Sequence, residues 1–175
     1  MIRPIAVLFC AALALPAWAE RDDAPRPTQT TRDCSTGQVW DGARRACVPI
    51  RDSNLGDDAA RLDTAHELAA FGRPRDALRV LAGLAAPDTA DALSLRGFAT
   101  RQAGDMAAGL ALYHRALALD PDHWQARAYL GAALLGTGDR AGAAAQLSAI
   151  RRSGGRGTFP DRALARVLAD GGSLY

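Results

Sequence analysis

"GFATRQAGDMAAGLALYHRALALDP", residues 97–121, and "GAALLGTGDRAGAAAQLSAI", residues 131–150, carry the same punctuation. Gly97 and Gly131, Gly104 and Gly138, and Asp105 and Asp139 each lie 34 residues apart. At the same offset Gly109 aligns with Ala143, Tyr113 with Leu147 and Ala116 with Ile150. Upstream the offset shortens: Gly72 to Gly104 is 32 residues, as is Ala77 to Gly109. Self-similarity at a fixed period predicts stacked units of one supersecondary type, none of which can bury its apolar face alone.

The units read as pairs of helices. Glycine supplies the left-handed stop of the first helix, and the following Asp caps the second. This punctuation predicts helices over about 89–103 and 106–119, then 122–136 and 140–152, with Asp122 capping the third pair. In "DDAARLDTAHELAAFG", residues 57–72, Ala59, Leu62, His66 and Ala69 share a face, and Leu62, Ala65, Leu68 and Ala69 an overlapping one. Asp57 and Asp58 favour the start of that helix. Pro74 opens the next, where its missing N–H costs nothing, and Ala77, Leu78, Leu81 and Leu84 form its apolar stripe. The glycines of "SGGRGTFP" mark a loop, and a last short helix is expected over 161–170, with Ala163, Leu164, Val167 and Leu168 on one side.

This pattern resembles the tetratricopeptide repeat. The best copy, residues 90–121, has Gly97 and Gly109 at the small positions of its two helices, Tyr113 as the aromatic, Ala116 as the next small residue, and Pro121 closing "LALDP". Copies over 57–88 and 124–155 are degenerate: the first places Ala65, Ala77, Leu81 and Leu84 in these roles, and the third has Leu147 for the aromatic. The resemblance implies an all-α fold: a right-handed α-solenoid of about three helix pairs with a C-terminal capping helix, together covering residues 56–170, preceded by a small disulfide-closed β-hairpin. A bundle of Ala- and Leu-rich helices without solenoid geometry is the alternative.

Residues 1–19 read as a signal peptide: Arg3, an apolar run from Ile5 to Leu15, and Ala17-Trp18-Ala19 before a cleavage point. The run is short for a membrane span, although a retained anchor is the alternative. Residues 20–33 are polar, with Pro25 and Pro27, and read as a disordered linker. Within 34–50, Gln38-Val39-Trp40 and Ala46-Cys47-Val48 read as strands joined by a turn at Asp41-Gly42. Cys34 and Cys47, the even pair left in an exported chain, predict a disulfide, worth about 3 kcal/mol as a chain constraint. Cys34, Gly37, Trp40, Asp41 and Cys47 are similar to a fragment of the peritrophin-type chitin-binding motif, which implies that Trp40 either stacks on a sugar ring or packs on the bridge.

All 21 basic residues of the chain are Arg, against 19 acidic ones, and without the leader the net charge is about +1. That balance gives no footprint for nucleic acid or an anionic membrane. His66, His114 and His123 lack ligand spacing, so no metal is expected, and no cofactor. Neither a Gly-rich phosphate loop, HExxH nor a Ser nucleophile elbow is present, which argues against an enzyme. Arg151, Arg152 and Arg156 form the densest basic cluster; a solvated helix end complementing the dipole is weighed there against docking of an anionic polymer.

The resemblance implies a concave face that binds a partner protein or peptide. Its positions here are Leu62, His66 and Ala69; Ser94, Phe98 and Arg101; and Ala128, Ala132 and Leu135. Phe98 reads equally as groove or core, and Arg101 either meets an anionic group or ends its helix in solvent. A carboxylate clamp of the kind some relatives use would fall on Leu62, His66, Ser94 and Phe98, which do not carry it. The expected function is thus a non-catalytic scaffold of the bacterial cell envelope, periplasmic or secreted. A peptidoglycan- or glycan-binding module using the Cys34–Cys47 hairpin is the alternative.

Overall fold

The structure, a computed structural model, describes residues 24–175. The signal peptide expected over residues 1–19 lies outside the described residues. The described chain runs α1 (Gln29–Arg32), β1 (Gln38–Asp41), β2 (Ala46–Pro49), a 3-10 turn (Ile50–Asp52), α2 (Asp58–Ala70), α3 (Pro74–Leu81), α4 (Ala90–Gln102), α5 (Met106–Leu119), α6 (Trp124–Gly136), α7 (Arg140–Arg152) and α8 (Phe159–Asp170). Consecutive helices α2/α3, α4/α5 and α6/α7 pack as pairs, and α8 lies on α6 and α7.

Local chemistry explains the boundaries. Asp57, Thr89, Asp105 and Asp139 accept the main-chain N–H three residues on, capping α2, α4, α5 and α7. At α6 the cap is His123, whose Nδ1 accepts from Ala126 N, and not the expected Asp122. Gly104 and Gly138 take φ of +108° and +89° in the reversals, a conformation that costs other residues. The last helix starts at Phe159, earlier than its charge pattern indicates, with Pro160 in its first turn.

Close approach is built from missing side chains. A Cβ on Gly97 would stand 2.7 Å from the Tyr113 ring and 3.1 Å from the Gly109 carbonyl oxygen, and a Cβ on Gly109 would stand 3.0 Å from the Gly97 carbonyl oxygen. The two glycines therefore let α4 and α5 touch backbone to backbone, and the Tyr113 ring fills the remaining space. Gly131, at the repeat-equivalent place, does a different job: it faces the methyls of Leu164 on α8.

The β1–β2 hairpin pairs antiparallel, with Val39 opposite Val48 and Trp40 opposite Cys47. Cys34 and Cys47 are bonded, with Cα atoms 5.4 Å apart. Val39 and Val48 belong to the same core as Leu62, Leu68, Phe98, Tyr129, Val167 and Leu174, so the hairpin is packed on the helices. Arg73, at the start of α3, donates to the main-chain oxygens of Thr30, Cys34, Ser35 and Gln38. Buried Asp76 accepts from Arg73, Arg79 and Gly37 N.

The expectation of a disordered linker over 20–33 is corrected in its described part. Residues 29–32 are the short helix α1, with Thr30 buried. Buried Glu67 on α2 accepts from Thr28 N, Thr28 Oγ1 and Thr31 Oγ1 at 2.5–3.0 Å. A polar segment poor in apolar surface is ordered here by a carboxylate distant in sequence, which composition does not reveal.

Candidate functional site

The first helix of each pair, α2, α4 and α6, together with α8, lines one face of the stack. The residues after α8 return across it. Gly171 ends α8 with φ +72°, and Leu174 and Tyr175 turn back onto the helices. Leu174 is 3% exposed, and Arg166 Nη2 donates to its carbonyl at 3.0 Å.

The Tyr175 ring makes tilted or edge contacts with Phe98, His66 and Tyr129 and stacks on Phe159, with centroids 5.5–6.4 Å away. Phe98 in turn lies parallel to Tyr129 at 4.5 Å. Four helices thus contribute to one aromatic cluster, each pair adding about 0.5–1.5 kcal/mol beyond its area.

The hydroxyl of Tyr175 sits in a polar pocket inside this cluster. Its Oη is 2.6 Å from His66 Nε2, 2.8 Å from Tyr129 Oη and 3.2 Å from Gln125 Nε2. Tyr129 Oη is also 2.8 Å from His66 Nε2. Neutral His66 accepting at Nε2 lets the Tyr175 hydroxyl donate once and accept twice, from Tyr129 and Gln125, its full capacity. Burial is the main cause that raises the phenols: Tyr113 to about 12, opposed by nearby Arg101, and Tyr129 and Tyr175 well above the ordinary value.

The positions expected to line an open groove divide into three groups. Leu62, Ala69, Ser94 and Phe98 are buried. His66, Ala132 and Leu135 are half-buried. Ala132 and Leu135 pack against the main core, to which Leu174 belongs. Ala128 is corrected: it belongs to a separate cluster with Ala143, Ile150, Leu164 and Leu168, facing α7 and α8. Phe98, 1% exposed, is the floor beneath Tyr175 and not a free contact surface. Ser94 Oγ is buried without a hydrogen-bond partner. Arg101, half-buried in the last turn of α4, has its guanidinium 5.7 Å from the Phe98 ring centroid, a cation–π contact, and its Nε lies 3.5 Å from Tyr113 Oη.

Sequence reasoning missed Gln125, Tyr129, Phe159, Leu174 and Tyr175. Tyr129 stands one residue from the position that the repeat spacing selects. Residues 171–175 carry no periodicity by which to place them.

Elsewhere the expected features have structural partners. Trp40 is half-buried on the face of the hairpin that carries Cys47, and its main-chain N–H donates to Thr30 Oγ1. Arg151 is ion-paired with Asp161 at 2.6 Å, and Arg152 bonds Ser148 Oγ. With Arg156 they border a shallow recess on α7. Burial pushes the Asp161 carboxyl up, but Gly157 N–H and Arg151 outweigh it and hold it below the usual range. Among the described residues no cluster of His, Cys, Asp or Glu is placed to hold a metal ion, and no helix is long and apolar enough to cross a membrane.

Residues 101–169, from the end of α4 through α8, match the family model described as Tetratricopeptide repeat. Over that stretch the chain is similar to the tetratricopeptide repeat. The match includes α8, which packs on α6 and α7 where the first helix of a further unit would stand. The repeat is a protein–protein interaction module, and its family is generally a non-catalytic scaffold family. The chain matched no curated protein and no solved structure.

Proposed function

We propose that the chain is a tetratricopeptide-repeat protein and a non-catalytic scaffold of the bacterial cell envelope, holding a partner protein or peptide against the face formed by α2, α4, α6 and α8. One observation carries the reading: that face already seats a short non-helical segment, residues 173–175, across all four helices. A surface that grips a Leu and a Tyr side chain from one extended segment has the shape and chemistry of a peptide groove. Export is supported by the leader-like residues 1–19 and by the Cys34–Cys47 bridge, since such bridges persist in oxidising compartments. The family's general lack of catalysis agrees with a holding role.

Photo-crosslinking in intact cells tests this. A crosslinker at Ala132 or Leu135, half-buried positions of α6 packed on the core that includes Leu174, is expected to trap a discrete partner. The same group at Ala145, exposed on α7, is expected to trap none. Adducts from Ala145 alone, or equally from all three positions, contradict the groove. Fractionation is expected to place the protein outside the cytoplasm with both thiols blocked by the bridge.

A further inference from the structure

We propose that residues 173–175 occupy the groove in cis as a stand-in for the partner, and that the partner is a peptide segment carrying leucine followed by tyrosine, which binds by displacing them. The inference rests on the scaffold reading and names the chemistry that the groove selects.

Selectivity follows from the pocket around the Tyr175 hydroxyl. His66, Tyr129 and Gln125 converge on that one oxygen from α2 and α6. A phenylalanine in the same seat would keep the ring contacts with Phe98 and Phe159 but take away the hydroxyl that the Gln125 amide and Tyr129 meet, while Tyr129 Oη would stay beside His66 Nε2. A site built to bond a hydroxyl rejects the analogue that lacks it far more strongly than an apolar slot discriminates by size. Leu174, buried beside the ring, supplies a second anchor.

Reversibility follows from how lightly the segment is tied. Among the described residues no main-chain to main-chain hydrogen bond extends beyond Gly171. Gly171 and Gly172 precede the anchors, and glycine loses the most freedom on ordering. Leu174 and Tyr175 therefore hold the segment by their side chains, with Arg166 on one carbonyl. An incoming segment with the same two side chains makes the same contacts, while the released tail regains its conformational freedom. Occupancy in cis lowers apparent affinity by the fraction of chains whose groove is open.

The test uses the full chain and a fluorescent GGSLY peptide capped at both ends, read by anisotropy. The double variant Leu174→Ala/Tyr175→Ala is expected to bind the peptide at least ten-fold more tightly than wild type. The corresponding GGSLF peptide is expected to bind the double variant at least ten-fold more weakly than GGSLY. Circular dichroism establishes that the variant keeps its helices. If it does not, Tyr175→Phe, which retains the ring, serves in its place, with a smaller gain over wild type expected. Equal binding by wild type and variant, or equal binding of the two peptides, overturns the proposal. So does a wild-type dimer that the double variant abolishes, because the tail would then act in trans. Crosslinking at Ala132 and Leu135 separates the two failures: partner adducts without peptide binding leave the scaffold standing and remove only the tyrosine rule.

Discussion

At the N-terminal end of the stack a hairpin is fastened to α2 and α3 by a disulfide, by Arg73 on four carbonyls, and by two buried carboxylates, Asp76 and Glu67. At the other end α8 and residues 173–175 close the face with apolar side chains, stacked rings and one hydroxyl cluster. The first closure is made of bonds whose breakage leaves charge uncompensated in the interior. The second consists of contacts that another chain can reproduce. A solenoid needs both ends covered; here the hairpin covers the α2/α3 end, α8 covers α6 and α7, and the exchangeable segment, residues 173–175, lies across the face between them.

Asp76→Ala should do the greatest damage, because it leaves Arg73 and Gly37 N without their buried acceptor. A loss of about 3–5 kcal/mol is expected from urea midpoints. A loss under about 1 kcal/mol would break the comparison by showing that the hairpin is loosely held.

Removing the bridge with Cys34→Ala/Cys47→Ala should cost about 3 kcal/mol. Amide exchange should rise in the hairpin while α8 stays protected. Equal loss of protection at α8 would mean that the two closures are not independent.

Between the ends, Gly97→Ala forces a methyl onto the Tyr113 ring and the Gly109 backbone, an overpacking expected to cost about 1–3 kcal/mol. Gly131→Ala meets the methyls of Leu164 and, more distantly, Gln146 Cβ, with no backbone among its nearest neighbours, and should cost less. The reverse order in thermal melts would contradict the packing described.

Tyr175→Phe should have the smallest effect on stability, about 1.5 kcal/mol for the lost hydroxyl bonds. It also sharpens a pH effect. The buried phenols have folded pKa values above their ordinary value of about 10, so folding favours their protonated form. Their contribution is complete below pH of about 10 and is lost as pH rises toward the folded values. The denaturation midpoint should therefore fall above pH of about 10, and less steeply in Tyr175→Phe; identical slopes would place Tyr175 outside the cluster.

The periodic part of this architecture was legible because the signals are local. Gly104-Asp105 and Gly138-Asp139 end and restart helices wherever they occur, and Asp41-Gly42 between two β-prone runs turns a hairpin. The site was less legible because its members are joined only by the fold. Repeat arithmetic selects Ala128, but the side chain stacked on Phe98 is Tyr129, and one residue on a helix rotates the side chain by about 100°. Thr28 and Thr31 gave no sign of the Glu67 that orders them. Nothing in "GGSLY" states that it folds back on His66, since that contact exists only after three helix pairs have stacked.

The account stands most directly on where the Tyr175 ring spends its time. Solution NMR of the full chain, with tyrosine and phenylalanine rings labelled, is predicted to show Tyr175 cross-peaks to Phe98 and Phe159. Saturating unlabelled capped GGSLY should replace them with cross-peaks from the peptide's tyrosine to the same two rings. Tyr175 signals of a freely tumbling tail in the unbound chain, or intramolecular cross-peaks unchanged at saturation, would contradict it.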